Sequence, residues 1–136
     1  MAADICDRTT DNCQDPIRVL FVDDDPTLLE VQKLLLERLG FFVTICMGGC
    51  DAWQTFSASP HSFDIVLTDL TMPDIPGHEL ARLIKTLRPD IPVVACSGYD
   101  DDITNGNIDN GLITQFLAKP ITARAMKDAI CRAVMR

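Results

Sequence analysis

The chain has 136 residues, of which 47% are hydrophobic and 24% are charged, and its net charge at pH 7 is −8. This composition predicts one soluble globular domain with a substantial core. The acidic balance argues against direct binding of nucleic acid or of an anionic membrane, and no apolar run approaches the roughly 20 residues that span a bilayer.

Residues 1–15 carry four aspartates and one arginine, a pattern typical of neither a signal peptide nor a transit peptide. We expect a disordered or leader segment there, followed by a single domain over residues 16–136. The six cysteines include no CxxC pair, and neither histidine is spaced with them as zinc ligands are. We interpret Cys96 and Cys131 as small core residues, leave a redox or metal role open for Cys46 and Cys50, and expect a reducing, cytoplasmic compartment.

The first predicted strand, Ile17 to Val22, is followed directly by three aspartates. Asp25 and Pro26 are typical of a helix start, with the aspartate as N-cap and the proline at the first helical position. Apolar residues then recur at helical spacing until Gly40 ends the helix. The apolar face predicted from this spacing comprises Leu28, Val31, Leu35 and Leu39.

A second strand is predicted over residues 41–46, and two glycines at 48–49 turn the chain into a short helix that Pro60 ends. The third strand contains the apolar run 65–67 and ends in the carboxylate of Asp69. Taken alone, Asp69 is more typical of a loop cap than of a reactive group. An aspartate at the carboxyl end of a buried parallel strand, however, lies where open α/β sheets bind ligands.

The second half of the chain continues the alternation. After Gly77, apolar residues at helical spacing predict an amphipathic helix that closes before a proline. A fourth strand covers residues 91–96. The Asp-, Asn- and Gly-rich segment 100–111 has poor helix propensity, so we expect a short or distorted helix there. A fifth strand over 113–117 and a last helix capped by Thr122 follow.

Five strands that alternate with helices of crossover length predict an α/β fold: a doubly wound, five-stranded parallel sheet with helices on both faces. The carboxyl ends of parallel strands share one edge of the sheet, and polar residues follow four of these strands. They are Asp23 and Asp24, Asp69, Ser97 and Lys119. Adjacent like charges repel one another unless a cation compensates them. The convergence of these polar residues on one edge of the sheet therefore indicates a functional site.

The residue types at this edge indicate phosphoryl chemistry. Three carboxylates suit a hard cation, and Mg²⁺ favours few carboxylates together with waters and a phosphate oxygen. An ionised aspartate can attack a reactive phosphoryl donor and form an aspartyl phosphate without a general base. A metal ion, a lysine and a hydroxyl then neutralise and position the phosphoryl oxygens.

The chain resembles a receiver domain of a two-component response regulator over nearly all of residues 17–136. The resemblance rests on four stretches: VLFVDDDP at 19–26, DIVLTDLTMP at 64–73 with Gly77, PVVACSGY at 92–99 and FLAKP at 116–120. It implies the flavodoxin-like strand order 2-1-3-4-5. The SGY sequence is also similar to receivers attached to hybrid sensor kinases.

The resemblance implies a role for each residue at the edge. Asp69 corresponds to the phosphoacceptor, and Asp23 and Asp24 to the metal-binding pair. The Asp69 carboxylate and the backbone carbonyl of Thr71 complete a site for Mg²⁺ or Mn²⁺. Lys119 corresponds to the lysine that pairs with the phosphoryl oxygens.

Two further positions correspond to the conformational switch of the family. Ser97 matches the hydroxyl that contacts the phosphoryl group, and Phe116 matches the aromatic ring that moves with it. Core packing alone would also account for Phe116. The peptide bond between Lys119 and Pro120 is a candidate cis bond.

The implied function is acceptance of a phosphoryl group from a phosphohistidine on a histidine kinase or a phosphotransfer domain. Such a chain catalyses only its own phosphorylation and dephosphorylation. A weak homodimer is left open, because the poor helix propensity of residues 100–111 puts in doubt the usual dimerisation through the fourth and fifth helices.

Two alternatives have different sequence requirements. A phosphohydrolase of the haloacid dehalogenase type forms the same aspartyl phosphate but needs a second aspartate two residues after the nucleophile, where this chain has Thr71. A docking module could keep the fold without ever being phosphorylated, and the intact set of acidic and basic residues argues against it.

Overall fold

The structure, a computed structural model, describes residues 16–97, 113–118 and 121–134. Their strands are β1 (Arg18–Asp23), β2 (Phe42–Met47), β3 (Ile65–Asp69), β4 (Val93–Ser97) and β5 (Gln115–Ala118). Their α-helices are α1 (Pro26–Arg38), α2 (Gly49–Ala58), α3 (Gly77–Leu87) and α4 (Ala123–Val134), with a 3₁₀ turn at Pro60–Ser62. None of these helices has the length and hydropathy of a membrane span.

Three sequence predictions lie outside the described residues. They are the leader at 1–15, the distorted helix within 100–111 and the cis peptide bond between Lys119 and Pro120.

The five strands form one parallel sheet in the order β2-β1-β3-β4-β5, so the predicted strand order is confirmed. β1 and β3 are neighbours at its centre, with Val22 opposite Thr68, and β3 continues beside β4 with Asp69 opposite Cys96. β1 and β3 therefore bring their last residues, Asp23 and Asp69, to the same edge.

Each face of the sheet has its own hydrophobic core, as expected for a sheet whose strands are apolar on both sides. Leu29 and Leu36 of α1 pack with Met126 and Ile130 of α4 on one face. The other core includes Ala52 and Phe56 of α2 and Leu80 and Ile84 of α3. The prediction of helices on both faces is confirmed.

The predicted apolar face of α1 is only partly confirmed, because Leu28 and Leu39 pack against the core but Val31 and Leu35 are exposed. Leu29, Gln32 and Leu36 are the buried residues of this helix, whereas Val31 is 49% and Leu35 38% exposed. The helix carries apolar side chains around much of its circumference, so helical spacing fits more than one face. Which face turns inward is decided by packing against the sheet.

The predicted helix caps are confirmed. Asp25 Oδ1 accepts hydrogen bonds from the backbone N–H groups of Thr27 at 3.1 Å and Leu28 at 3.2 Å. Thr122 Oγ1 accepts one from the N–H of Ala125 at 3.0 Å. These bonds satisfy donors that have no partner inside the helix.

The four cysteines in the described residues differ in state. Cys46 and Cys96 are buried free thiols, and Cys50 is an exposed free thiol. Cys131 packs against the core beneath α1 and α4 and is disulfide-bonded, which the expectation of a reducing compartment does not predict. Burial raises the pKa of the Cys46 thiol, which favours the unreactive neutral form.

Candidate functional site

Three aspartates meet at the carboxyl edge of the sheet. Asp23 and Asp69, the last residues of β1 and β3, are only 2% and 4% exposed, and Asp24 is exposed beside them. One carboxylate oxygen from each lies within 4.8 Å of the other two. The structure thus brings together the three carboxylates that the sequence placed at strand ends.

The turn after β1 is held by hydrogen bonds on both sides of Asp23. Its Oδ1 accepts a hydrogen bond from the N–H of Asp25 at 3.1 Å, and its backbone carbonyl accepts one from the N–H of Gly48 at 3.0 Å. The first bond ties the Asp23 carboxylate to the start of α1. The second ties the end of β1 to the turn before α2.

The end of β3 is held by close backbone packing. The N–H of Leu70 donates to the carbonyl of Cys96 at 2.9 Å, and the N–H of Gly77 donates to the carbonyl of Leu70 at 3.0 Å. A Cβ on Gly77 would overlap the backbone carbonyl of Asp69 and lie 2.8 Å from the Cα of Leu70. Gly77 is therefore required by the close approach of α3 to the strand that carries Asp69.

The remaining predicted site residues are only partly described. Ser97 is the last residue of β4, where its backbone pairs with Ala118, and Lys119 lies outside the described residues. Thr71 is exposed in the loop that follows Asp69. Phe116 is half-buried in β5 and packs against the core beneath α2 and α3. The roles of these four residues stay predictions.

A fourth aspartate, Asp74, has a structural role that was not predicted. It lies in the loop between β3 and α3, but its carboxylate accepts hydrogen bonds from the N–H groups of Gly49 at 3.1 Å and Cys50 at 2.9 Å. It also accepts one from the N–H of Ile75 at 2.7 Å. These backbone hydrogen bonds, above all that from Cys50, lower the pKa of Asp74 to about 2.

Two glycines allow this contact. Gly48 has a φ of 95°, which favours glycine, and a Cβ there would lie 2.9 Å from Asp74 Oδ2. A Cβ on Gly49 would lie 2.5 Å from Ile75 Cβ and 2.8 Å from its carbonyl oxygen. The sequence offers one indirect sign of the contact, since Gly48 at the N-cap of α2 has no side chain to cap it.

Asp24 and the Asp74 contact share one surface hollow. Its volume is about 460 Å³, and it is lined by Asp24, Met47, Gly48, Pro73 and Asp74. Partial loss of solvent and the Asp74 carboxylate raise the pKa of the nearby Cys50 thiol, so Cys50 is not an activated thiolate.

Gln32 is the second residue that was not predicted. It lies buried on α1, and its Nε2 donates a hydrogen bond to the carbonyl of Ile121 at 3.1 Å, joining α1 to the chain just after β5. It lines a cavity of about 110 Å³ together with Asp23. Within the described part of the chain its Oε1 has no hydrogen-bond partner.

The model of the response regulator receiver domain family matches residues 19–131. The chain belongs to this family. Receiver domains are signalling modules that bind Mg²⁺ at an acidic pocket and interact with histidine kinases or phosphotransfer proteins. Membership supports a phospho-accepting role for this receiver domain. The carboxylates of Asp23, Asp24 and Asp69 fit such a cation, because all three are hard oxygen donors grouped at one edge.

Known proteins resemble this receiver domain in sequence and in fold. It is 33% identical over 118 residues to the two-component response regulator ARR2 of Arabidopsis thaliana and 30% identical over 122 residues to ethylene receptor 2 of Oryza sativa subsp. japonica. These alignments cover 82% and 87% of this chain but only 17% and 16% of those proteins. A response regulator receiver domain protein from Clostridium thermocellum has a similar fold, with a TM-score of 0.82 and 30% identity over 88% of this chain and 95% of that one.

Proposed function

We propose that this receiver domain accepts a phosphoryl group on Asp69 from a phosphohistidine of a histidine kinase or a phosphotransfer protein. The observation that carries the proposal is the grouping of the Asp23, Asp24 and Asp69 carboxylates within 4.8 Å at the carboxyl edge of the sheet. Three like charges at this distance suit a site that binds a cation and a phosphoryl group.

Asp23, Asp24, Asp69 and the backbone carbonyl of Thr71 are the residues that would hold Mg²⁺ or Mn²⁺. When bound, the ion supplies positive charge that offsets the charge of the carboxylates and of the phosphoryl oxygens. The burial of Asp23 and Asp69 favours this role, because charge neutralisation is worth more where little water screens it.

The transfer itself uses Asp69 as the nucleophile. A carboxylate oxygen of Asp69 attacks phosphorus while the phosphorus–nitrogen bond to the donor imidazole breaks, and its electron pair stays on that nitrogen. No general base is needed, because an ionised carboxylate has no proton to lose. Lys119 and Ser97 bind the phosphoryl oxygens in this proposal, and Phe116 moves with Ser97 to signal the change.

The chain acts only on itself, through its own phosphorylation and dephosphorylation, and residues 16–136 form the receiver unit. The similarity to two-component response regulators and to ethylene receptor 2 supports a kinase-linked pathway. The alternative of a phosphohydrolase lacks the second aspartate, since Thr71 is in its place.

Intact-protein mass spectrometry after incubation with acetyl phosphate and Mg²⁺ tests the proposal. The wild-type chain should gain one phosphoryl group, and Asp69→Asn should gain none. Asp64→Asn, at the other end of the same strand, is the matched control and should be phosphorylated like the wild type. An Asp69→Asn chain that is still phosphorylated to the wild-type extent would contradict the proposal, and steady turnover of a phosphomonoester would favour the hydrolase.

A further inference from the structure

Asp74 is not part of the cluster of Asp23, Asp24 and Asp69. Its hydrogen bonds join the two loops that border the hollow beside that cluster. We infer that Asp74 is a positioning residue for the metal site, which holds the Thr71-bearing loop in register with the Asp23–Asp24 pair. The inference rests on the proposed function, because it takes Thr71 as the source of a metal-binding carbonyl.

A short series of hydrogen bonds links the two sides. The backbone carbonyl of Asp23 accepts from the N–H of Gly48, and the next two N–H groups, of Gly49 and Cys50, donate to the Asp74 carboxylate. Three consecutive residues thus connect the end of β1 to the loop after β3. A shift of that loop relative to Asp23 requires one of these bonds to break.

The packing around the link requires that residue 49 has no side chain. Ile75 lies so close to Gly49 that a Cβ there would meet its side chain at 2.5 Å and its carbonyl at 2.8 Å. Contacts of this length do not occur between real Cβ atoms and backbone, so any side chain at position 49 would push the loop away from α2. In the wild-type chain, the hydrogen bonds from Gly49 and Cys50 to Asp74 hold the loop close to α2.

A simpler role is that Asp74 only caps α2, which lacks a side-chain cap of its own. Both roles predict that the loss of Asp74 lowers stability, so stability cannot separate them. They differ in their effect on the metal, because residues that orient metal ligands typically change metal affinity 10- to 100-fold when they are replaced. A helix cap alone leaves the affinity unchanged.

Isothermal titration calorimetry with Mg²⁺ is the main test, on two variants that break the link in different ways. Asp74→Asn removes one acceptor oxygen and the charge, and Gly49→Ala forces the loop away from α2 without any change in charge. Both should bind Mg²⁺ about tenfold more weakly than the wild-type chain. Since only one of them changes the charge, a shared loss identifies loop position as the cause.

Asp51→Asn is the control. Asp51 lies in the first turn of α2 and accepts a hydrogen bond from the N–H of Met47 at 3.2 Å. This variant removes a similar charge and a similar carboxylate acceptor of a backbone N–H near the start of α2, but it leaves the loop after β3 untouched. Its Mg²⁺ affinity should stay within about twofold of wild type, since its carboxylate orients no metal ligand.

Amide hydrogen exchange without metal gives a second readout. Exchange at positions 49 and 50 and at the four non-proline residues of 71–75 should be faster in Asp74→Asn and Gly49→Ala than in the wild type. Unchanged Mg²⁺ affinity in Gly49→Ala, or an equal loss in Asp51→Asn, would overturn the positioning role and leave the proposed function intact. A wild-type chain that binds no Mg²⁺ would instead overturn the proposed function, and the positioning role with it.

Discussion

The two ends of β3 use an aspartate in opposite ways. Asp64, just before the strand, accepts hydrogen bonds from Arg18 through its backbone N–H at 2.8 Å, Nε at 3.2 Å and a terminal guanidinium nitrogen at 3.0 Å. Asp69, at the other end, instead has two further carboxylates within 4.8 Å. The carboxylate of Asp64 is paired with an arginine, and the carboxylate of Asp69 lies in a group of like charges.

The difference separates a structural carboxylate from a functional one. Burial alone raises the pKa of Asp64, but the hydrogen bonds and the charge of Arg18 together bring it below its usual value. Folding therefore favours the ionised form of Asp64. The grouped carboxylates at the Asp69 end repel one another, and a bound cation would offset that repulsion and stabilise the folded chain.

The largest expected effect comes from the packing at the Asp69 end. Gly77→Ala places a methyl group against the backbone of Asp69 and Leu70, which cannot move as a side chain can. We expect the free energy of unfolding, measured in urea, to fall by about 3 kcal/mol. His78→Ala, one residue further along α3, is the control and should change it by less than about 0.5 kcal/mol. A Gly77→Ala chain of wild-type stability would mean that the strand end has room to relax.

The next effect tests the grouping of charge directly. Mg²⁺ at a hundredfold excess over its Kd should stabilise the wild-type chain by about 2.7 kcal/mol. Asp23→Asn should lose most of this gain, yet be more stable than wild type in metal-free buffer by about 1 kcal/mol, because one of three mutually repelling charges is removed. Thermal unfolding with and without Mg²⁺ measures both. Asp64→Asn is the control and should keep the full response to Mg²⁺, so a reduced response there would break the contrast between the two ends.

Much of the fold could be predicted because its signals are local. Apolar runs bounded by turn residues mark the strands, and Asp25 and Thr122 mark two helix starts by side chains that act within three residues. The face of α1 could not be predicted, because its apolar residues fit several faces. Gln32 was missed because a polar residue is expected to face solvent.

The acidic cluster could be predicted because the carboxyl ends of parallel strands lie at one edge of the sheet. Residues that follow different strands in the sequence are therefore expected to lie close together in the fold. The Asp74 contact could not be predicted. Its partners, Gly49 and Cys50, lie 25 and 24 residues away in the chain, in a different loop. Gly48 indicates only that α2 lacks a side-chain cap of its own, and the packed structure is needed to show that Asp74 supplies the acceptor.

The smallest expected effect concerns the compensated end of the strand. Arg18 and Asp64 side chains are 40% and 34% exposed, so solvent screens their interaction and Asp64→Asn should cost about 1 kcal/mol at pH 7. Because the pKa of Asp64 is lowered by folding, this contribution is complete above its ordinary pKa of about 3.9 and is lost as the pH falls through the lower folded value. Urea unfolding between pH 7 and pH 3 should therefore show the stabilities of wild type and Asp64→Asn converging at the acidic end.

A double-variant cycle tests the same pair. The double variant Arg18→Gln with Asp64→Asn should lose less stability than the sum of the two single losses, and this difference, the coupling energy, should vanish at low pH. A difference that stays constant with pH would mean that the carboxylate acts at this end through hydrogen bonding alone, and that charge does not distinguish the two ends of β3.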